Sequence, residues 1–119
     1  MDKKIMKKWV KALRSGKYRK TTRKLCKVAE NGNKSWCCLG VLTDLYNNEH
    51  KQERIEIDAA DDCLPYSVEV WSGMQSSLGS LSYGVYNSPT SLADLNDCTN
   101  SKRSFKRIAD IIEKNWEQL

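Results

Sequence analysis

Apolar and polar positions recur along this chain with two periods, and the periods divide it into helices and short strands. At about 100° per residue, Ile5, Met6, Trp9, Val10, Ala12 and Leu13 share one arc, and Lys3, Lys4, Lys7, Lys8, Lys11 and Arg14 fill the opposite one. An amphipathic helix over Asp2–Ser15 follows, with Gly16 as its C-terminal stop. The end of the chain repeats the pattern: Phe105, Ile108, Ala109, Ile112 and Trp116 form one stripe within Ser101–Leu119, and Ser101 or Ser104 is placed to cap it.

Between these helices the signals shorten. Leu25, Cys26 and Val28 read as a strand, Glu30-Asn31-Gly32-Asn33 as a turn, and Ser35-Trp36-Cys37 as the return strand of a hairpin. From Cys38 the pattern turns helical through Leu39, Val41, Leu42, Leu45 and Tyr46, nearly all apolar at its start, so this helix belongs in the middle of the core and Asn47-Asn48 should end it. Arg54-Ile55-Glu56-Ile57 alternates as a strand does. Pro65 suits the first turn of a short helix with Val68 and Trp71 on its inner face and Gly73 at its close. Ser76–Ser88 reads as an irregular loop or a weak hairpin, and Ser91–Asn96 as a helical turn. The expected fold is α+β: a single small domain over residues 1–119, with amphipathic helices at both ends, a central apolar helix and a small antiparallel sheet.

Length and composition agree with that picture. The chain has 119 residues, 39% hydrophobic and 29% charged, ordinary for one globular domain with a modest core. Charge is distributed unevenly. Residues 1–27 carry nine Lys and three Arg against Asp2 alone, +11, while residues 28–119 carry eight bases against fourteen acids, −6, which together give the net +5. A basic surface favours anionic partners such as nucleotides, nucleic acid or acidic protein; alternatively the basic segment packs beside the acidic stretch Asp44–Glu69. Nucleic acid would be held by Lys4, Lys8 and Lys11 on the first helix. A membrane surface is not expected as partner, because the rest of the chain can cover the apolar face. The charged N-terminal segment has no continuous apolar run and no stretch approaches the length of a membrane span, so the protein is expected in the cytoplasm.

Candidate chemistry is sparse. Five cysteines, Cys26, Cys37, Cys38, Cys63 and Cys98, form an odd set without paired metal-ligand spacing, and read as reduced, buried side chains. Neither a metal nor a cofactor is expected. Cys37 or Cys38 at a helix start would gain acidity, but the single histidine, His50, sits in a polar stretch. Asp61-Asp62, or Asp94 with Asp97, are the carboxylates available for acid–base work. No phosphate-binding glycine loop or zinc-protease motif occurs. Ser104–Ala109 faintly resembles the first helix of a helix-turn-helix, but no recognition helix follows it before Leu119.

Three segments carry a resemblance: Trp9–Tyr18 (WVKALRSGKY), Trp36–Leu45 (WCCLGVLTDL), and Leu92–Asp97 (LADLND) followed by Ser104–Glu113 (SFKRIADIIE), with Leu64-Pro65 before Trp71. In this order they resemble a set of small uncharacterised accessory proteins of tailed bacteriophages. The chain departs from that set in its basic Arg19–Lys27 and at Glu30–Lys34 and Asn47–Asp62. The resemblance implies an accessory protein made in the cytoplasm of a bacterial host; by analogy with small phage accessory proteins, the leading expectation is a non-catalytic binder that counters a host process. It would do so by sequestering an anionic nucleotide-like signal or by binding a host defence protein, and a homo-oligomer is expected. Polar residues at element ends are the candidate ligand contacts: Arg14 as a phosphate clamp, Tyr18 and Trp36 as stacking rings, Asn96 and Asp97 as hydrogen-bonding groups. Their structural alternative is an Arg14–Asp97 ion pair and an Asn96-Asp97 turn cap. Two further functions remain: a small basic nucleic-acid-binding protein, and a small hydrolase or transferase using Cys38 or a carboxylate.

Overall fold

Each end of the chain forms an amphipathic helix, and the two pack side by side. The computed structural model describes residues 1–58, 60–82, 89–98 and 104–119. Helix α1 spans Lys3–Arg14, with the Asp2 carboxylate accepting from the Ile5 amide at 3.0 Å. It buries Ile5, Met6, Trp9, Val10 and Leu13. Helix α5, Phe105–Asn115, is capped by the Ser104 hydroxyl, buries Phe105, Ile108, Ala109 and Ile112, and runs into a 3₁₀ turn at Trp116–Gln118. The two apolar stripes meet, and α2 and α4 cover what remains of them. Ser101 of the expected cap lies outside the described residues.

A hairpin and the central helix complete the core. Strands β1 (Cys26–Val28) and β2 (Lys34–Trp36) pair antiparallel around the Asn-Gly turn, with Cys26 opposite Trp36 and Val28 opposite Lys34. Cys37 separates β2 from α2 (Cys38–Glu49), which buries Cys38 through Thr43 and then Tyr46 and Asn47, and runs slightly past the expected stop. Short α3 (Tyr66–Ser72) begins after Pro65, buries Val68 and ends at Gly73, whose φ of 70° only glycine adopts without strain. Strand β3 (Ser80–Leu81) pairs with β4 (Thr90–Ser91), and Ser91 then caps α4 (Leu92–Asp97). One strand thus falls within Ser76–Ser88, but its partner lies beyond that stretch, and residues 83–88 lie outside the described ones. The result is the expected α+β domain, with a radius of gyration of 13.4 Å, close to the roughly 13.5 Å of one packed unit of this length.

Two local expectations meet a different outcome. Arg54–Ile57 forms no strand and joins no sheet among the described residues: the amide of Ile55 donates to the Asn47 side chain at 2.8 Å and its carbonyl accepts from it at 3.0 Å, so a side chain of α2 takes the place of a neighbouring strand. Only Cys37 and Cys38 of the five cysteines are buried; Cys26 and Cys63 are half-buried and Cys98 is exposed, because they sit on edges and connections. Among the described residues no helix is long and apolar enough to cross a membrane.

Helix α2 crosses the start of β1 with no room for a side chain. A Cβ on Gly40 would stand 1.8 Å from the Leu25 carbonyl oxygen. Alanine normally stabilises a helix relative to glycine, but here Gly40→Ala is expected to cost roughly 3 kcal/mol or more, measured by urea unfolding; an unchanged midpoint would contradict the close crossing.

Candidate functional site

The polar residues that the sequence marks as ligand contacts do not converge on one place. Arg14, at the end of α1, forks onto α5: Nη2 donates to Asp110 Oδ1 at 2.6 Å and Nη1 to Glu113 Oε2 at 3.1 Å. Those hydrogen bonds, Glu113 foremost, favour its charged form. The internal partner of Arg14 is therefore α5, not Asp97. Asn96 is buried and fully used: its Oδ1 accepts from the Cys38 amide at 3.0 Å, and its Nδ2 donates to the Thr21 carbonyl at 2.9 Å. Asp97 Oδ1 accepts from the Arg23 amide at 2.7 Å, and Lys20 Nζ donates to the Asn96 carbonyl. Arg23 has φ of 70°, and this contact holds the chain in that strained conformation. Asn96 and Asp97 thus fasten the 19–23 segment to the core.

Tyr18 and Trp36 do sit together, edge to face with ring centroids 5.8 Å apart. Tyr18 donates its hydroxyl to Asp44 Oδ2 at 2.6 Å, and burial followed by that bond holds the phenol protonated. Trp36 and Asp44 open onto a groove of about 900 Å³. The β1–β2 hairpin forms one wall through Cys26, Lys27, Val28 and Lys34, and Asn47 with Arg54–Ile57 forms the other. Cys26, Val28, Lys34 and Trp36 share a face because directly opposed residues in an antiparallel pair point the same way. Lys27, Lys34 and Arg54 are exposed and make no ion pair among the described residues. Lys34 Nζ stands 6.0 Å from the Trp36 ring centroid. A groove of this size, with an apolar floor and unpaired cations, fits an anionic partner that also carries apolar surface.

Of these groove residues only Trp36 was marked by the sequence as a ligand contact. Lys27, Lys34 and Arg54 are common surface residues by type, and the signal that would have found them is the Arg54–Ile57 alternation left without a strand partner. The lysine face of α1 is a separate surface: Lys4 and Lys11 are exposed, while Lys8 is tied to Glu49.

The thiols at the head of α2 are not arranged for nucleophilic work. Burial, partly offset by the Gly40 amide, pushes the Cys37 thiol up to about 11, and burial also raises fully enclosed Cys38 well above the ordinary thiol range. His50 stacks on Tyr46 at 4.1 Å, at the opposite end of the same helix. Asp61 Oδ2 accepts from the Asp58 amide and Asp97 from that of Arg23, so these carboxylates serve the backbone. Among the described residues no cluster of three or more His, Cys, Asp or Glu is placed to hold a metal ion.

A family model described as Domain of unknown function (DUF8296) matches residues 1–116, and the chain belongs to that family. No curated protein and no solved structure matches it.

The Cys37 shift has a measurable sign. A thiol raised on folding contributes stability that is complete below about pH 9 and is lost as pH rises through about 11. Serine offers the Gly40 amide a hydroxyl oxygen in place of the Sγ that now accepts from it at 3.3 Å, and removes the titration. Between those pH values wild type is expected to lose roughly 2–3 kcal/mol more stability than Cys37→Ser; parallel curves in denaturant unfolding would contradict a thiol held protonated.

Proposed function

We propose that this member of the family is a non-catalytic accessory protein that captures an anionic partner in the groove between the β1–β2 hairpin and Arg54–Ile57. The observation that carries the reading is the set of three cations, Lys27, Lys34 and Arg54, lining one concave surface beside Trp36 without ion-pair partners among the described residues. Leaving three like charges around one groove disfavours the empty state slightly and favours an anion within it. Both walls draw on Glu30–Lys34 and Asn47–Asp62, the segments that depart from the resembled phage set, as a surface tuned to its own partner would. In that setting the protein acts in the cytoplasm of a bacterial host and counters a host process by holding a nucleotide-like signal or a host defence protein. Self-association belongs to the same reading and is read by light scattering. The buried, protonated thiols of α2 favour capture over turnover.

A second reading rests on a separate observation. Lys4 and Lys11 project from α1 without ion-pair partners among the described residues, and a nucleic-acid backbone would follow such a face.

One experiment separates the two. Nucleotides, cyclic dinucleotides, ADP-ribose derivatives, acidic peptides and random DNA are titrated while the indole N–H resonance of Trp36 is followed by NMR. The groove reading expects saturable binding that moves this resonance and weakens about tenfold or more in the Lys34→Glu/Arg54→Glu double variant, with Lys4→Glu/Lys11→Glu unaffected. Binding of DNA alone, collapsing as salt rises and lost in Lys4→Glu/Lys11→Glu, would replace it with the second reading.

A further inference from the structure

The hairpin has two outer edges, and among the described residues only one is closed. In an antiparallel pair, residues alternate between exchanging backbone hydrogen bonds with the partner strand and pointing them away. The Ala29 amide donates to the Asn33 carbonyl at 2.8 Å and the Cys37 amide to the Leu25 carbonyl at 3.2 Å, so the odd-numbered residues of β1 face β2. The even-numbered residues on both strands face outward. On β2 this is Trp36, whose amide donates to the Arg19 carbonyl and whose carbonyl accepts from the Thr21 amide, each at 2.7 Å; the 19–21 segment covers that edge. On β1 the outward residues are Cys26 and Val28. Among the described residues no hydrogen bond uses the backbone amide or carbonyl of either.

This open edge belongs to the groove, since all three residues of β1 line it. The opposite wall is open in the same sense. Ile55 is bonded to Asn47, but the backbone groups of Glu56 and Ile57 have no partner among the described residues. Folded proteins usually cover or disrupt a free strand edge, because it is a template for another strand. Val28, 63% exposed, does neither.

We infer that the groove's occupant is an extended segment of a partner protein, added as a strand along the free edge of β1. This deepens the reading above and rests on it. Outward N–H and C=O groups two residues apart match the period at which an incoming strand presents its own. Its side chains alternate between faces: one set packs on Trp36, Ile55 and Ile57, a face whose margin carries Lys34, and the charged set meets Lys27 and Arg54. The segment therefore alternates apolar and acidic residues. Of the two carboxylates lining the groove, Asp44 is engaged by Tyr18, so the cations outweigh the free acid. A stacked nucleobase is the poorer occupant, because Trp36 is only 9% exposed, with Tyr18 against it and Lys34 nearby.

The test uses the full chain. Heptapeptides from a random displayed library are selected on wild-type protein, and the best binder is synthesised. Carboxylate and β-branched residues are expected at alternate positions. Val28→Pro removes an outward N–H that donates to nothing described in the chain, the position at which a strand tolerates proline. It should unfold as wild type does and bind the peptide about tenfold or more weakly. Should that variant fail to fold, methylating alternate backbone nitrogens of the peptide serves on wild-type protein: one set abolishes binding and the other spares it. No enriched peptide, unchanged affinity for a folded Val28→Pro, or indifference to both methylation sets overturns the inference. A nucleotide that binds and moves the Trp36 indole while no peptide is enriched sinks the strand and leaves the groove; binding of every ligand unchanged in Lys34→Glu/Arg54→Glu sinks the groove itself.

Discussion

Everything in this fold is hung on the first turn of α2. The backbone groups of that turn are buried, and an orphaned buried amide is costly, so each needs a partner. Asn96 of α4 supplies one to the Cys38 amide, and Cys37 Sγ supplies another to the Gly40 amide. The Cys38 carbonyl accepts from the indole of fully buried Trp9 at 2.9 Å, which ties α1 to the same turn. Gly40 then lets the Leu25 carbonyl press directly on the helix. Contacts from α1, α4 and the head of β1 thus meet within three residues. Because each polar group there is specific about its partner, the site sets one arrangement where apolar packing alone tolerates several.

That turn also decides the form of the groove. One residue links β2 to α2, so the hairpin cannot swing independently of the helix. The segment before β1 is fastened to the same anchor, through Asn96 to Thr21 and Asp97 to Arg23, and is thereby laid along the outer edge of β2. A two-stranded hairpin is marginal by itself; here one edge and one end are held by the core. Among the described residues, what remains open is the edge of β1, across the groove from a segment that α2 holds through Asn47. Of the residues that the sequence offered as ligand contacts, Asn96 and Asp97 fasten the segment beside the hairpin, Tyr18 packs on Trp36, Trp36 itself lines the groove, and Arg14 pairs with α5 instead.

The sequence was informative where a signal is local. The two amphipathic stripes place α1 and α5 within a few residues, Asn31-Gly32 places the hairpin turn, and Gly73 places the end of α3. It was less informative wherever a side chain chooses among distant partners. Arg14 lies 96 residues from Asp110 in sequence, and nothing in its spacing favours that carboxylate over Asp97. Asn96 resembles a turn cap by type, but its second bond runs to Thr21, 75 residues away. The alternation at Arg54–Ile57 matches the burial, with Ile55 and Ile57 half-buried and Arg54 and Glu56 exposed, but not the strand it suggested, because Asn47, a helix residue, has its side chain on the Ile55 backbone. The groove was not legible for the same reason, since the cations that line it are assembled from a hairpin and a connection remote in sequence.

The charge asymmetry of the chain takes on a local meaning once the pairs are known. Part of the basic excess of residues 1–27 is neutralised by the later acids, Lys8 by Glu49 and Arg14 by Asp110 and Glu113. These are exposed pairs of small energetic weight, and they fix which cations remain available more than they stabilise the fold. In the groove, the cations and the open backbone edge have different physical roles. Charge acts at range, is screened by salt and selects acidic partners in general. Backbone pairing acts only in register, is blind to side-chain identity and tolerates little displacement. A groove that combines them is attracted by composition and committed by geometry. With both walls already held by the core, little ordering cost remains on this side of the encounter.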